Sequence, residues 1–276
     1  MRITLFIITL CAAIGCFGQS AVRLRFGAGG VPPGGGGGGG SLDTNGLLLV
    51  WKLNEPNGSD TRVSSDAYAL SLTPTNDPPA TTGIESNAVR FVRANSPRLG
   101  MNTTNLVEVN PTLNFSIGTW VKLLSLPTSG QNYGLVSKSN PGVNNNIEYA
   151  LGLEYNASGA SAYFLTGTNN SGSAAGAGNN RVTSTNYITT TNVWYFIAGG
   201  RDAANSNTWV SVNGATKENI ASASGPAATA TQFRLGVYGA STHFLWGDLD
   251  MVTFWRTNLT MTQIGYLTNN PPPTLP

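Results

Sequence analysis

Short runs with an apolar period of two residues dominate this chain. In Tyr149–Tyr155 the large residues occupy every odd position, and small or charged residues occupy every even one. This pattern is typical of a β-strand with one buried face. Similar runs fill the last third of the chain, at Trp194–Asp202, Trp209–Gly214, Phe233–Tyr238 and Leu245–Trp255. About twelve such strands, joined by Asn-, Gly- and Ser-rich turns, predict an all-β fold: a two-sheet antiparallel β-sandwich.

One short helix is predicted at the C-terminal end of the folded part. Thr260-Met-Thr-Gln263 has the form of a capping box, in which the threonine and the glutamine satisfy each other's backbone N–H groups. Ile264 and Leu267 then supply a small apolar face. We expect the folded domain to span residues 42–270, followed by a proline-rich tail at 271–276.

Charge is scarce and unevenly distributed. Only 10% of the residues are charged, well below the roughly 25% that is usual for soluble domains. Arg2, Arg23 and Arg25 precede residue 42 without any acidic residue, so the remainder has 12 of the 15 basic residues and all 13 acidic ones. A folded part that is close to neutral does not suit nucleic acid, and we expect no nucleic-acid partner.

The N-terminus reads as a targeting segment. One arginine precedes an apolar run, and residues 1–18 fit a signal peptide, with a Gly- and Pro-rich flexible linker at 19–41. Two alternatives remain: a lipobox ending at Cys16, which would then carry a lipid anchor, and an uncleaved N-terminal anchor. Both cysteines, Cys11 and Cys16, lie in this segment. We therefore expect a secreted or cell-surface protein, without a membrane span in the mature chain.

Several motifs appear in the order of a known family. The pieces are Val50–Gly58, Gly83–Phe91, Asn114–Lys122, Val212–Gly214, Gly247–Phe254 and Leu259–Ile264. Together they resemble the concanavalin A-like lectin/glucanase superfamily, and within it the bacterial laminin-G-like (LamG) domains, over Leu47–Leu267. The resemblance implies a jelly-roll sandwich. It also implies core positions for Trp51, Trp120, Trp194 and Trp255, and a sheet aspartate at Asp250 that bonds to loops.

The same superfamily includes glycoside hydrolases, whose glucanase members carry Glu-x-Asp-x-x-Glu on one strand. The corresponding segment here is Asp248-Leu-Asp250-Met-Val, which lacks both glutamates. His243 is the only histidine, and the sequence nominates no nucleophile for it. One histidine and no mature cysteine cannot supply a zinc site. We therefore expect no enzymatic activity.

Calcium is the one metal that the residue types allow. Asp60 and Asp66 lie in an early loop, and Asp248 or Asp250 would complete an oxygen-rich site. Related lectin domains hold calcium at a sandwich edge, which is what the resemblance implies here. The alternative is that these aspartates cap turns.

Sugar binding requires an aromatic platform beside amide and hydroxyl groups. Trp209 and Trp246 lie near predicted strand ends, and with Tyr238 and His243 they are the candidate glycan contacts. The alternative is that these rings are partly buried.

Three functions remain open at this point. The first is a secreted or surface-attached binding module for carbohydrate or a surface partner. The second is a structural or adhesion component of an envelope, a matrix or a virion. The third is a divergent glycoside hydrolase.

Overall fold

The computed structural model describes residues 42, 44–58, 60–102, 105–139, 147–167, 179–222, 226, 232–239 and 243–269. The predicted signal peptide, the linker, Cys16 and the tail lie outside these residues. In the described part, no helix has the length and apolar character needed to cross a membrane.

The described residues form sixteen strands, a one-turn 3₁₀ helix at Arg93–Asn95 and one α-helix. The strands are β1 (Leu47–Trp51), β2 (Arg62–Val63), β3 (Ser71–Thr75), β4 (Ala80–Thr82), β5 (Asn87–Phe91), β6 (Arg98–Met101), β7 (Phe115–Leu123), β8 (Asn132–Ser139), β9 (Ile147–Asn156), β10 (Gly159–Gly167), β11 (Asn179–Thr183), β12 (Trp194–Asp202), β13 (Asn207–Val212), β14 (Glu218–Ala221), β15 (Gln232–Leu235) and β16 (Gly247–Trp255). The helix is α1 (Met261–Asn269).

The strands form two antiparallel sheets. Within the described ranges, the first sheet has the order β14-β13-β12-β7-β16-β5-β4, and β1 also pairs with β16. The second sheet has the order β11-β10-β9-β8-β15-β6-β3-β2. Strands that are distant in the sequence often lie side by side, as β7 and β16 do, which is a jelly-roll feature. The predicted all-β sandwich with a C-terminal helix is confirmed.

The sequence analysis missed the edge strands. The outermost strands of the two sheets are β14, β4, β11 and β2, and the apolar pattern revealed none of them. They are two to five residues long. Edge strands are commonly short and polar because an exposed apolar edge would pair with other chains. Such strands carry little alternation, so the count of about twelve fell short.

The main core lies between the sheets. Trp51 is fully buried and stacks on Phe233, with ring centroids 5.1 Å apart. Phe115 packs against Tyr149, Phe164 and Phe254 at centroid distances of 5.3, 5.8 and 6.1 Å. These contacts join β7 and β16 of one sheet to β9 and β10 of the other, so aromatic packing holds the layers together.

A second core lies on the outer face of the first sheet, where α1 packs. Trp255, Leu259, Ile264 and Leu267 belong to this cluster, together with Trp120 and Trp209 from the sheet. The capping box predicted for α1 is confirmed: the Thr260 N–H donates to Gln263 Oε1 at 2.8 Å, and the Gln263 N–H donates to Thr260 Oγ1 at 3.2 Å. The helix therefore covers part of this face, and α1 lies over rings that a ligand would otherwise meet.

Candidate ligand-binding surfaces

Asp248 is the anion of a three-residue charge cluster on the outer face of the first sheet. It accepts two hydrogen bonds from Arg90, at 2.8 Å from Nε and 3.1 Å from Nη2. The Lys122 Nζ lies 2.9 Å from Asp248 Oδ2, and the carboxylate is fully buried. The three side chains link neighbouring strands β5, β16 and β7. Two cations already surround this anion, so its role is to hold these strands together.

Asp250 lies on the same face, two residues further along β16, in a different environment. Its Oδ2 accepts a hydrogen bond from the Ile84 N–H at 2.7 Å, so it bonds to a loop, as the family resemblance implied. A Cβ atom on Gly83 would lie 2.4 Å from that oxygen, so glycine is needed for the loop to approach. Burial raises the pKa of Asp250 to about 7, above the usual 3.8. This carboxyl group is therefore protonated in mildly acidic solution.

Asp60 and Asp66 cap turns. Asp66 accepts hydrogen bonds from the N–H groups of Val50, at 3.1 Å, and Tyr68, at 2.9 Å. Asp60 accepts one from the Asn57 N–H at 3.2 Å. Across the described ranges, no three histidine, cysteine, aspartate or glutamate side chains come together as a metal site. The four aspartates are thus not gathered as the calcium hypothesis required, although calcium binding itself stays a prediction.

Two of the four candidate glycan contacts are core residues. Trp209 lies within β13, beneath the second core, and its side chain has no exposed surface. The Lys217 Nζ covers it at 4.0 Å from the ring centroid. Tyr238 is also buried, and its ring meets the edge of Tyr163 at 5.9 Å. This placement corrects the expectation that these two rings are presented to a ligand, because a sugar cannot stack on a ring that core atoms already cover.

The other two candidates lie nearer to solvent. His243 is half-buried, with its ring 4.4 Å from that of Tyr238. Trp246 is 42% exposed, just before β16 begins. Its carbonyl accepts a hydrogen bond from the Leu124 N–H at 3.1 Å, which fixes the loop that carries it. Trp246 is therefore the candidate that presents an indole ring to solvent.

Further exposed rings lie at the same end of the sandwich. Tyr155, at the end of β9, is 43% exposed, and Tyr187, in the connection between β11 and β12, is 40% exposed. We call Trp246, Tyr155 and Tyr187 the aromatic end. The sequence pattern had assigned Tyr155 to a buried face, which is wrong because the strand ends there. The turns beside both tyrosines were the signal that could have identified them.

Backbone hydrogen bonds hold these loops in place. The Tyr155 N–H donates to the Gln131 carbonyl at 3.2 Å, and the Asn192 N–H donates to the Leu123 carbonyl at 2.8 Å. Ala160 and Ile188 exchange two bonds of 2.8 Å, which tie the Tyr187 segment to β10. The connections that follow β7, β9 and β11 are thus fastened around one rim. Rings and amide groups on such a rim suit a ligand with an apolar face and a polar edge.

Part of the outer face of the second sheet is filled by its own side chains. Gly134 and Gly152 lie opposite each other on β8 and β9. The Tyr163 hydroxyl lies over Gly152, where a Cβ atom would be 2.4 Å away, and the backbone of Tyr238 lies over Gly134 at the same distance. The Arg181 guanidinium covers the Tyr163 ring at 4.1 Å. This part of the face is closed to a ligand.

Three carboxyl groups of the described part, Asp248, Asp250 and Glu148, are buried in internal contacts. Retaining glycosidases need two carboxyl groups about 5 Å apart that both reach the substrate. Asp248 and Asp250 are both fully buried, one between cations and one against a loop. Glu148 is also buried, where it pairs with Lys138 and accepts the Val109 N–H at 2.7 Å. These three carboxyl groups serve internal contacts.

Comparisons with known proteins agree with this architecture. The Laminin_G_3 family model, described as the concanavalin A-like lectin/glucanases superfamily, matches residues 99–265. No sequence among the curated proteins matches the chain.

Solved structures with the same fold are distant in sequence. The binding domain of Paraclostridial Mosquitocidal Protein 1 is similar at 11% identity and a TM-score of 0.64, covering 83% of this chain and 53% of that chain. The botulinum neurotoxin serotype D binding domain is similar at 13% identity and a TM-score of 0.60, covering 81% of this chain and 51% of that one. This chain therefore spans about half the length of these toxin domains.

A third similar structure matches over nearly its whole length. Domain 4 of AbnA, a GH43 extracellular arabinanase from Geobacillus stearothermophilus in complex with arabinotriose, has 16% identity and a TM-score of 0.56. The match covers 80% of this chain and 98% of that chain. At such identities, the likeness establishes the fold alone.

Proposed function

This chain belongs to the Laminin_G_3 family of the concanavalin A-like lectin/glucanases superfamily, and we propose that it is a non-catalytic module that binds carbohydrate through the aromatic end. The observation that carries the proposal is the exposure of Trp246, Tyr155 and Tyr187 at one rim of a rigid sandwich. Exposed rings of this size cost solvation free energy unless a partner covers them. A sugar ring offers the apolar face that stacks on an indole.

Polar groups on the same rim complete the chemistry. The side chains of Gln131 and Asn132 are half-buried at the start of β8, and Asn192 is exposed in the connection that also carries Tyr187. Amides donate and accept hydrogen bonds, as the hydroxyl groups of a sugar require. Two of the similar structures are binding domains of toxins, and another was solved with a bound oligosaccharide. These likenesses support a binding role in this family and leave the ligand of this chain to experiment.

The absence of turnover is also part of the proposal. The buried carboxyl groups Asp248, Asp250 and Glu148 already serve internal contacts, which favours binding over hydrolysis. We also propose that the protein is secreted or held at the cell surface, where the Gly-rich segment at 19–41 acts as a spacer.

The test is a glycan array, followed by calorimetry with the carbohydrates that bind. Trp246→Ala should weaken binding about tenfold or more, because aromatic anchors dominate such interfaces. Trp246→Phe should retain part of the affinity. Met261→Ala, which truncates an apolar side chain of similar exposure on α1, is the matched control. Equal losses in Trp246→Ala and Met261→Ala would contradict the role of the aromatic end.

Two further outcomes would replace the proposal. Release of reducing sugar from a bound glycan would indicate a hydrolase. Failure of all glycans, with self-association at micromolar concentration, would indicate a structural or adhesion component. Repeating the array with a chelator tests the calcium prediction, because a calcium-dependent site loses its ligand when the metal is removed.

A further inference from the structure

A small cup lies on the outer face of the second sheet, away from the aromatic end. Its floor is Gly100 in the middle of β6. Thr73 of β3 lies directly opposite Gly100 on one side, and Arg234 of β15 lies opposite it on the other. Arg98 and Asn102 flank Gly100 along its own strand, since side chains two residues apart share a face. The cup therefore exists because the central position has no side chain.

The cavity over Gly100 has a volume of about 230 Å³. Its lining is mostly polar and consists of Thr73, Thr75, Arg98, Gly100, Met101, Asn102 and Gln232. Pockets for drug-sized molecules are larger, roughly 300–1,000 Å³. The cup thus suits a single small group, such as one monosaccharide residue of a chain.

The charge at this cup is one-sided. Arg234 is only 2% exposed, and its Nη2 donates to Ser139 Oγ at 2.6 Å and to the Gly239 carbonyl at 3.3 Å. Its Nε has no hydrogen-bond partner. Arg98 is half-buried, and in the described ranges neither arginine forms an ion pair with a carboxylate. Arg98 therefore lines the cup, and Arg234 lies buried on the strand opposite Gly100, without a carboxylate paired to either arginine.

The electrostatics of Arg234 agree with this geometry. Burial and, to a smaller extent, the like charge of Arg98 together lower its pKa to about 10. A buried cation is normally paired, because desolvation is costly unless an opposite charge or several acceptors repay it. Arg62, which is also buried, has the Glu55 carboxylate at 3.4 Å, whereas Arg234 has only the neutral acceptors Ser139 Oγ and the Gly239 carbonyl.

We propose that the Gly100 cup binds the carboxylate or sulfate group of an acidic saccharide, with Arg98 as the cationic contact and the buried charge of Arg234 adding to the attraction. The proposal rests on the carbohydrate-binding function above and names the class of sugar. A guanidinium fork matches the two oxygens of such a group. The hydroxyl groups of Thr73 and Thr75 and the amides of Asn102 and Gln232 then meet the hydroxyls of the same sugar residue.

The substitutions at this cup are favourable for a clean test. A Cβ atom on Gly100 would lie 3.6 Å from Arg234 Cγ and 3.7 Å from the Phe233 carbonyl oxygen, both ordinary contacts. Gly100→Ala therefore places a methyl group on the floor of the cup without a clash. Arg98→Ala removes one cationic contact, and Arg98→Lys keeps the charge but loses the fork. Lys52→Ala removes a half-buried cation elsewhere and is the matched charge control.

The full chain is titrated by calorimetry with polygalacturonate, dextran sulfate and neutral dextran at two salt concentrations. The two acidic polymers separate carboxylate from sulfate recognition. We expect an acidic polymer to bind more tightly than dextran, and Arg98→Ala to weaken that binding about tenfold or more. Gly100→Ala should weaken it similarly at an unchanged unfolding temperature. Lys52→Ala should change it less than twofold.

Three results would overturn the proposal. Equal losses in Arg98→Ala and Lys52→Ala would indicate non-specific charge attraction. Equal affinity for dextran, with no effect of Arg98→Ala, would refute the anion site and leave carbohydrate binding at the aromatic end intact. Binding to phosphatidylserine vesicles that depends on Arg98, without binding to any polysaccharide, would assign the cup to a lipid headgroup.

A second measurement separates this proposal from the proposed function. Sodium galacturonate and sodium sulfate are titrated while the amide NMR signals of Gly100 and Arg234 are followed. Shifts at these amides, absent in Arg98→Ala, support the anion site even where no neutral glycan binds at Trp246. If neither salt moves these signals, the cup is not an anion site, whatever the aromatic end binds.

Discussion

On the outer face of the first sheet Asp248 lies between Arg90 and Lys122, whereas on the outer face of the second sheet Arg98 and Arg234 surround Gly100 without a carboxylate. Both clusters contain two cations, and both have a buried member. The first is complete within the chain and joins three strands. The second lacks its anion, so its free energy improves when an anion arrives from outside. The comparison distinguishes charge that holds a fold from charge that awaits a ligand.

On the first face, Asp250 differs from Asp248 because none of the described cations forms an ion pair with it. Its titration should give the largest change in stability. Below about pH 4 this carboxyl is protonated in the folded and unfolded chain alike. Between about pH 4 and 7 the unfolded chain releases the proton and the folded chain keeps it, because burial raises the folded pKa from 3.8 to about 7. Stability therefore falls as pH rises through this window, by about 4 kcal/mol from this residue, and levels off above it.

Asp250→Asn keeps a neutral group at this position and removes that dependence. The variant should match the wild type near pH 4 and exceed it near pH 8, as measured by urea unfolding at each pH. A constant difference across the range would show that Asp250 does not titrate as its burial indicates.

The second largest change in stability is expected for Asp248→Asn. This substitution should lower the free energy of unfolding, whereas Asp250→Asn should raise it. Asp248→Asn leaves the charges of Arg90 and Lys122 uncompensated, and we expect a loss of about 3 kcal/mol in the free energy of unfolding at pH 7. This is the low end for a broken buried pair, because the Arg90 side chain is 35% exposed and retains some hydration. Asp77→Asn, at an exposed turn, is the control and should change stability by less than about 0.5 kcal/mol. If Asp248→Asn and Asp77→Asn changed the free energy of unfolding equally, Asp248 would not hold these strands together, and the comparison between the two faces would fail.

Gly152 and Gly100, both on the outer face of the second sheet, differ in the free space that surrounds them. A Cβ atom on Gly152 would lie 2.4 Å from the Tyr163 hydroxyl and 2.6 Å from the Tyr133 carbonyl oxygen, which is backbone and cannot rotate away. Gly152→Ala should therefore cost about 1–3 kcal/mol by overpacking, as read from thermal and urea unfolding. If Gly152→Ala left stability unchanged, this part of the face would have as much free space as the cup.

The smallest effect is expected at Gly100. Because its Cβ position is free and its backbone is not left-handed, Gly100→Ala should leave stability unchanged or raise it by about 0.5 kcal/mol, through the reduced freedom of the unfolded chain. The same unfolding series measures it beside Gly152→Ala. A large loss would show that Gly100 serves packing, and would weaken its use as a probe of ligand binding.

The sequence predicted the fold more completely than the site. Alternation in Tyr149–Tyr155 identified a strand, and the capping box at Thr260 located the helix within one residue. Trp246 and His243 were proposed as ligand contacts because of their place near turns, and both reach solvent, while their role in binding stays a prediction. Trp209 was misjudged because the alternation reveals that one face of a strand is buried but does not show that α1 covers the other face.

The Gly100 cup was not visible at all from the sequence. Arg98 and Arg234 are far apart in the chain, and only the pairing of β6 with β15 brings them to one place. Gly100 stands between Leu99 and Met101 in the chain, and this local pattern does not show which residues lie across from it. The exposure of Tyr155 and Tyr187 was missed although turns flank both residues, because exposure at the end of a strand also depends on where the next loop passes.

The sequence by itself determined the sandwich, its C-terminal helix and the absence of the glucanase glutamates, because periodicity, capping and residue identity are local properties. The tertiary structure alone decided which aspartate is paired, which tryptophan is covered and which arginines lack a carboxylate. These properties depend on strand register and on packing between elements distant in the chain. A shift of one residue in the pairing of β6 with β15 would move Arg234 to the other face and abolish the cup, although every local pattern in the sequence would stay the same.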